Sequence, residues 1–311
     1  MTATTKAWLQ IHLCVVLWGF TAILGKLISL QSLPLVLWRM GIVTLVLLML
    51  PRVRSALKKM SARLIAVYAG IGILVCLHWL TFYGAIKLAN ASVAVTCIAT
   101  VPVFLAVLEP VLAGRRFQKT ELLLGLMVLP GIVLVVGGTP TTMNSGILMG
   151  LISALFVAFF AALNKRYVLK ADPLTVTAIE MAAGAALLLI LGALYNTVDW
   201  MPAINGIINN TEDIFAVPQG QDLLWLLILA FACTLLPFAL SLYALRHLSA
   251  YASALAINLE PLYAITLAAL LLGEQQEVSA GFYLGAALIM AVVLIYPWWM
   301  RRQSYQGADL D

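Results

Sequence analysis

Residues 85–114 read AIKLANASVAVTCIATVPVFLAVLEPVLAG, and residues 244–273 read ALRHLSAYASALAINLEPLYAITLAALLLG. Set 159 positions apart, they place Ala85 on Ala244, Lys87 on Arg246, Ala91 on Ala250, Ile98 on Ile257, Pro102 on Pro261 and Gly114 on Gly273. An offset of 139 carries the match upstream, with Lys26 on Lys165 and Pro34 on Pro173. Residues 1–140 and 146–300 therefore read as two versions of one unit, with a tail at 301–311. Duplicated apolar units of this kind mark secondary transporters, whose site lies near the membrane midplane where the halves meet.

Composition says what the unit is made of. Of 311 residues 63% are hydrophobic and 10% charged, with mean hydropathy +1.04. A soluble domain carries about 25% charged and about 45–50% apolar residues, so a soluble enzyme is excluded, and so is a disordered chain. A membrane-spanning helix needs about 20 apolar residues. Runs bounded by charge, proline or glycine fall at 7–30, 33–51, 64–87, 90–113, 120–138, 146–168, 174–195, 222–245, 248–272 and 278–299. The fold class is an all-α polytopic membrane protein of ten transmembrane helices, five per repeat. An odd number of spans per unit makes the repeats inverted. The first run is too long for a signal-peptide core and reads as a retained helix. The long connection, 196–221, is polar and acidic and is expected to hold a short interfacial helix; its Asn209 sequon reads as coincidence.

The net charge of +5 and pI near 9.1 do not indicate a nucleic-acid partner, because the basic residues flank apolar runs. With the N-terminus inside, 15 of the 18 Lys and Arg residues fall on the inner side, leaving Lys26, Arg39 and Lys87 outward. That is the positive-inside pattern, and it predicts a multi-pass protein of the cell inner membrane with both termini cytoplasmic. Tyr296, Trp298 and Trp299 mark the inner interface. The four cysteines, Cys14, Cys76, Cys97 and Cys233, sit singly in apolar runs, so neither metal, redox centre nor cofactor is expected.

The repeat units resemble the EamA units of the drug/metabolite transporter superfamily. In the second copy the resemblance rests on Tyr243-Ala244-Leu245-Arg246, Ala250, Ala252-Ser253-Ala254, Leu259-Glu260-Pro261-Leu262 and Leu272-Gly273-Glu274. The first copy shows Leu17-Trp18-Gly19, Pro34 with Arg39, and Tyr83-Gly84-Ala85-Ile86-Lys87 leading to Pro102. It departs from the family pattern at Gly114-Arg115, where Gly-Glu is usual, and adds Glu109-Pro110. The resemblance implies a ten-helix transporter of small metabolites, often an exporter. Helices one to four of each half would line the cavity, with the fifth and tenth peripheral.

An ionisable side chain inside a membrane helix costs about 2.5–3.5 kcal/mol on insertion scales, so each is a functional candidate. Glu260 falls near mid-membrane and suits a cationic group or a proton; the competing role is to bond backbone freed by Pro261. His78 shares a helix face with Phe82, and the alternative is a core histidine satisfied by a hydroxyl. Arg39 lies two turns in from the outer face, with Glu260 or Glu274 as its partner. Lys26 is expected to snorkel. Glu109 and Glu180 fall near the inner face, away from Arg39. Trp18, Trp79 and Tyr243 are the aromatics expected to wall the pocket. Pro102 and Pro261 read as hinges or pivots. Gly146-x-x-x-Gly150 and Gly281-x-x-x-Gly285 permit close packing, within the chain or, through the tenth helix, in a homodimer.

Three functions compete. The first is a secondary transporter, exporting amino-acid-like or other small organic molecules by alternating access, driven by a proton gradient or working by facilitation. An intramembrane enzyme would need a catalytic set, and the chain has no HExxH or GxSxG and no aspartate in any expected span beyond Asp222 at the edge of the eighth. A flippase or accessory subunit moving a lipid-linked group is equally allowed by an inverted repeat. The expected partners are a small-molecule substrate and membrane lipid.

Overall fold

The computed structural model describes residues 2–195, 215, 217–257 and 259–292, and among the described residues every regular element is helical. The first half contains α1 (Ala3–Leu27), α2 (Ser32–Met49), α3 (Pro51–Lys59), α4 (Ala62–Leu88), α5 (Ala91–Ile98), α6 (Val101–Ala113), α7 (Lys119–Leu126) and α8 (Leu129–Gly137). The second contains α9 (Asn144–Tyr167), α10 (Pro173–Tyr195), α11 (Gly220–Ala230), α12 (Leu236–Leu245), α13 (Ala250–Ile257), α14 (Glu260–Leu272) and α15 (Ala280–Val292). Among the described residues each of the ten expected apolar segments contains helix, the last followed only as far as Val292. Among the described residues seven helical stretches are long and apolar enough to cross a membrane, counting α5 with α6 and α11 with α12 as one each. The basic helix α3, which the sequence reading left as a connection, starts at a proline and buries only Val53. The tail at 301–311, the aromatics Tyr296, Trp298 and Trp299, and all of 196–214 with Asn209 lie outside the described residues.

Local chemistry sets the helix ends. Thr2, Ser61 and Asn90 each accept a backbone N–H from the residue three positions on, capping α1, α4 and α5. α6 ends at Gly114 (φ 76°) and α14 at Gly273 (φ 70°), the pair matched by the 159-residue offset. Both stand in the left-handed region that only glycine enters without strain. Proline sets the interruptions. Pro102 and Pro261 lie in the first turn of α6 and α14, where an absent N–H is tolerated. Each thereby separates a short helix from its continuation at the same place in its half. A π turn, Phe231–Leu235, separates α11 from α12, with Pro237 just beyond it.

The packing repeats when the halves are exchanged. α4 lies along α9 as α12 lies along α1, and α6 contacts α9 as α14 contacts α1. α5 meets α14 while α6 meets α13, so the two interrupted segments run in opposite directions. Matching basic residues then close matching loops: Lys87 Nζ donates to the Ile28 carbonyl at 2.8 Å, and Arg246 donates to the Ala171 carbonyl at 2.8 Å. The glycine motifs pack within the chain. A Cβ on Gly146 or Gly150 would strike Ala89 or Cys97, and one on Gly285 would stand 2.5 Å from the Gly131 carbonyl oxygen of α8. Outward, Leu9, Val111, Val133, Leu270 and Leu284 are among many exposed apolar side chains, a surface suited to lipid rather than water.

Candidate functional site

At the seam between the halves is a cavity with about 120 Å³ in which the centre of a water molecule can sit. A single water needs about 10–15 Å³ by that measure, so the space suits a small organic molecule. Its wall takes Ile11, Trp18 and Thr21 from α1, Arg39 from α2, and His78, Trp79 and Phe82 from α4. From the other half come Val157, Phe160, Ala161 and Asn164 of α9, Phe238, Ser241, Leu242 and Leu245 of α12, and Ala250, Ser253, Ile257 and Glu260. Ile98 and Val101, at the first interruption, complete it. Every polar candidate expected at the centre, Glu260, His78 and Arg39, reaches this one space.

The cavity is lopsided with respect to the repeat. It extends to Asn164, Leu245 and Ala250, at the end of the bundle rich in Lys and Arg, but not to their counterparts Gly25, Ile86 and Ala91. Tyr83 fills the counterpart space. Its ring lies so close to α1 that a Cβ on Gly25 would stand 2.4 Å from it. Tyr83 is fully buried and stacks edge-on with Phe82 at 5.5 Å between centroids.

Arg39 is 1% exposed and bound on three sides. Its Nε donates to Thr234 Oγ1 at 2.5 Å, NH1 to Tyr83 Oη at 2.7 Å and NH2 to the Cys233 carbonyl at 3.1 Å. The guanidinium also lies 3.8 Å over the Trp79 ring, a favourable cation–π geometry. The Cys233 carbonyl is available because its helical partner four residues on is Pro237, which has no N–H. Thr234 turns its hydroxyl hydrogen to the Leu229 carbonyl at 2.6 Å, leaving a lone pair for Arg39. The expected ion pair with Glu260 or Glu274 is replaced by this cradle. Arg39 interacts with Glu260 electrostatically, without an ion-pair contact.

Glu260 is 7% exposed and makes no hydrogen bond among the described residues, so its carboxyl does not serve the backbone freed by Pro261. His78 lines the cavity and is also tied to a hydroxyl. Its Nδ1 is 2.7 Å from Ser153 Oγ, and its ring lies 5.9 Å from Phe82 and 5.6 Å from Phe160. Trp18 and Trp79 line the cavity as expected. Tyr243 does not. The cavity stripe of α12 is Phe238, Ser241, Leu242 and Leu245, one helical face; Tyr243 falls off that face and lies 5.5 Å from the Arg246 guanidinium. Lys26 is exposed at the end of α1.

Two carboxylates missed as structural elements hold the interrupted segments together. Glu274 accepts from the N–H groups of Ala91 and Ser92 at 3.0 and 2.9 Å and from the Ser92 hydroxyl at 2.7 Å. It thus caps α5 from the other half, a favourable place for an anion. At the opposite end Glu109 accepts from Ala250 N–H at 3.0 Å, capping α13, and is 3.3 Å from Arg115. The offset equates Arg115 with Glu274. In the first copy the capping carboxylate stands at Glu109 instead, with a cation at the position equivalent to Glu274. Glu109-Pro110 and Gly114-Arg115, separate oddities in the sequence, are one compensated change.

Three comparisons bear on this arrangement. No curated protein matches the sequence. A solved crystal structure, titled only as a protein, aligns with 96% of this chain and 99% of its own at TM-score 0.64 and 17% identity, so the fold is shared. The family model described as the EamA-like transporter family matches twice, over residues 5–137 and 144–296, so each half of the duplication is one family unit. With both units matched and the cavity enclosed between them, the chain belongs to the EamA-like transporter family, a family of multi-pass membrane transporters.

Proposed function

We propose that the protein is a secondary transporter, an exporter of zwitterionic, amino-acid-like metabolites. It crosses the cell inner membrane ten times as two inverted five-helix units, 1–140 and 146–300, with both termini in the cytoplasm. One observation carries the substrate class: Arg39 and Glu260 face the same cavity without pairing, among aromatic walls. A fixed cation and a fixed carboxylate in one apolar enclosure complement a molecule bearing both charges. Trp18, Trp79, Phe160 and Phe238 would receive its apolar part, and His78, tied to Ser153, adds a polar group beside it.

Alternating access follows from the halves. Antiparallel pairing of α5–α6 with α13–α14 supports inversion, and the lopsided cavity supports two states. Exchanging the conformations of the halves would move the open space from the Asn164 end to the Gly25 end, with the breaks before Pro102 and Pro261 as pivots. The test is flux of a labelled amino-acid panel from vesicles containing the purified protein. Zwitterions should move, and Glu260→Gln should slow them more than it slows analogues lacking the amine. Equal slowing of both, or flux indifferent to substrate charge, would overturn the substrate class.

A further inference from the structure

A second carboxylate, which this transport reading does not use, lies behind the cavity wall. Glu180 of α10 is 0% exposed, and both of its carboxyl oxygens are buried without a hydrogen bond. The helices leave no open space beside it. α4 is pressed against it so closely that a Cβ on Gly72 would stand 2.2 Å from the Glu180 carbonyl oxygen.

Among the described residues no ion pair or hydrogen bond reaches the Glu180 carboxyl. From α9 comes Asn164, which interacts with the carboxyl outside hydrogen-bond geometry and itself lines the cavity. From α4 comes Tyr68, within electrostatic reach, with its hydroxyl committed to the Tyr167 carbonyl at 2.8 Å. α2 places Met40 against Gly184, one turn along α10, and its Arg39 is held in the cradle of Thr234, Cys233 and Tyr83. On α3, Arg52 pairs with Asp172 at 2.7 Å, and Arg54, Lys58 and Lys59 are exposed. On α12, Tyr243 stacks with Arg246. Arg246 is within reach of Tyr68, and its Nε is buried and unbonded.

A buried carboxylate with no partner is among the most expensive groups a protein can hold, and a proton is the compensation nearest at hand. Glu260, by contrast, faces Arg39 and stays available to a substrate. We propose that Glu180 is the proton-carrying site of the transporter, exchanging its proton with the cavity past Asn164. In the exchange the carboxyl O–H bond breaks, the proton passes to cavity water as hydronium, and a carboxylate remains. The same bond re-forms when a proton enters from the other side.

This inference rests on the transport reading, and its test separates the two. Dicyclohexylcarbodiimide adds to protonated carboxyl groups in apolar surroundings, and the adduct can be mapped by peptide mass spectrometry on the purified full chain. The expected result is an adduct at Glu180 that declines as pH rises, survives in Glu260→Gln and is lost in Glu180→Gln. No adduct at Glu180, or one that does not vary with pH, would overturn the proposal. In vesicles, Glu180→Gln should retain exchange of a labelled amino-acid panel but lose accumulation driven by an imposed pH gradient; retained accumulation would also overturn it. If the wild-type protein moves none of the panel, the transport reading fails, while the carbodiimide result still decides whether Glu180 holds an exchangeable proton.

Discussion

Arg39 shows how much a single buried cation depends on its neighbours. Its depth in α2 can be read from the sequence, because a long apolar run holds one charge two turns from its start. Its partners cannot be read that way. Thr234 and Cys233 lie almost two hundred positions away, and the Cys233 carbonyl is left open by Pro237, which has no N–H to give it. Arg39→Lys replaces a planar fork with a point charge that cannot meet Thr234, Cys233 and Tyr83 together. An unpaired buried group costs about 1–3 kcal/mol. Substrate affinity, measured by calorimetry or competition, should therefore fall about ten- to hundredfold, since about 1.4 kcal/mol is a factor of ten. Pro237→Ala tests the same cradle from the other side. By restoring an N–H to the Cys233 carbonyl it should raise or preserve the melting temperature while lowering flux. Equal losses of both would place Pro237 outside the cradle. Tyr243 was misread for a simpler reason. A membrane helix that is apolar all round does not show which face meets the cavity, and the π turn at Phe231–Leu235 rotates everything after it.

Among the elements, the interrupted segments matter most. The prolines that break them recur at matched positions and were legible as such. The carboxylates that cap them across the seam were not, because Glu274 and Glu109 stand at different places in the two copies. Each cap satisfies N–H groups at the start of a short helix that lacks an intrahelical partner for them. Glu274→Ala should lower stability by about 1–3 kcal/mol, the usual cost of leaving buried donors unmet, seen as a lower unfolding temperature in detergent. Glu109→Ala should do the same, and adding Arg115→Glu should recover part of the loss, because it rebuilds in the first copy the arrangement the second already has. Absence of recovery would show that the two caps are not equivalent.

For the whole molecule, the central question is how one bundle holds two conformations. In the present one the cavity reaches Asn164 and Ala250, while Tyr83 packs onto Gly25 at the other end. Gly25→Ala forces the Tyr83 ring away from α1 and should shift the population toward the exchanged conformer. A cysteine introduced at Ser241, which lines the present cavity, should then react more slowly with a water-soluble maleimide than in the parent. Unchanged reactivity would argue that Tyr83 does not hold this state. The four native cysteines are buried and should contribute a low background. By itself the amino-acid sequence determined that the chain is an apolar helical protein, that it is duplicated, and where prolines interrupt it, because hydropathy, proline chemistry and repetition are local properties. Only the tertiary structure decided which charges share the cavity, which carboxylates are caps, and that the Glu180 carboxyl has no hydrogen bond among the described residues. Those facts depend on helix rotation and on pairings between segments far apart in the chain, and an all-apolar helix surface encodes neither in its own pattern.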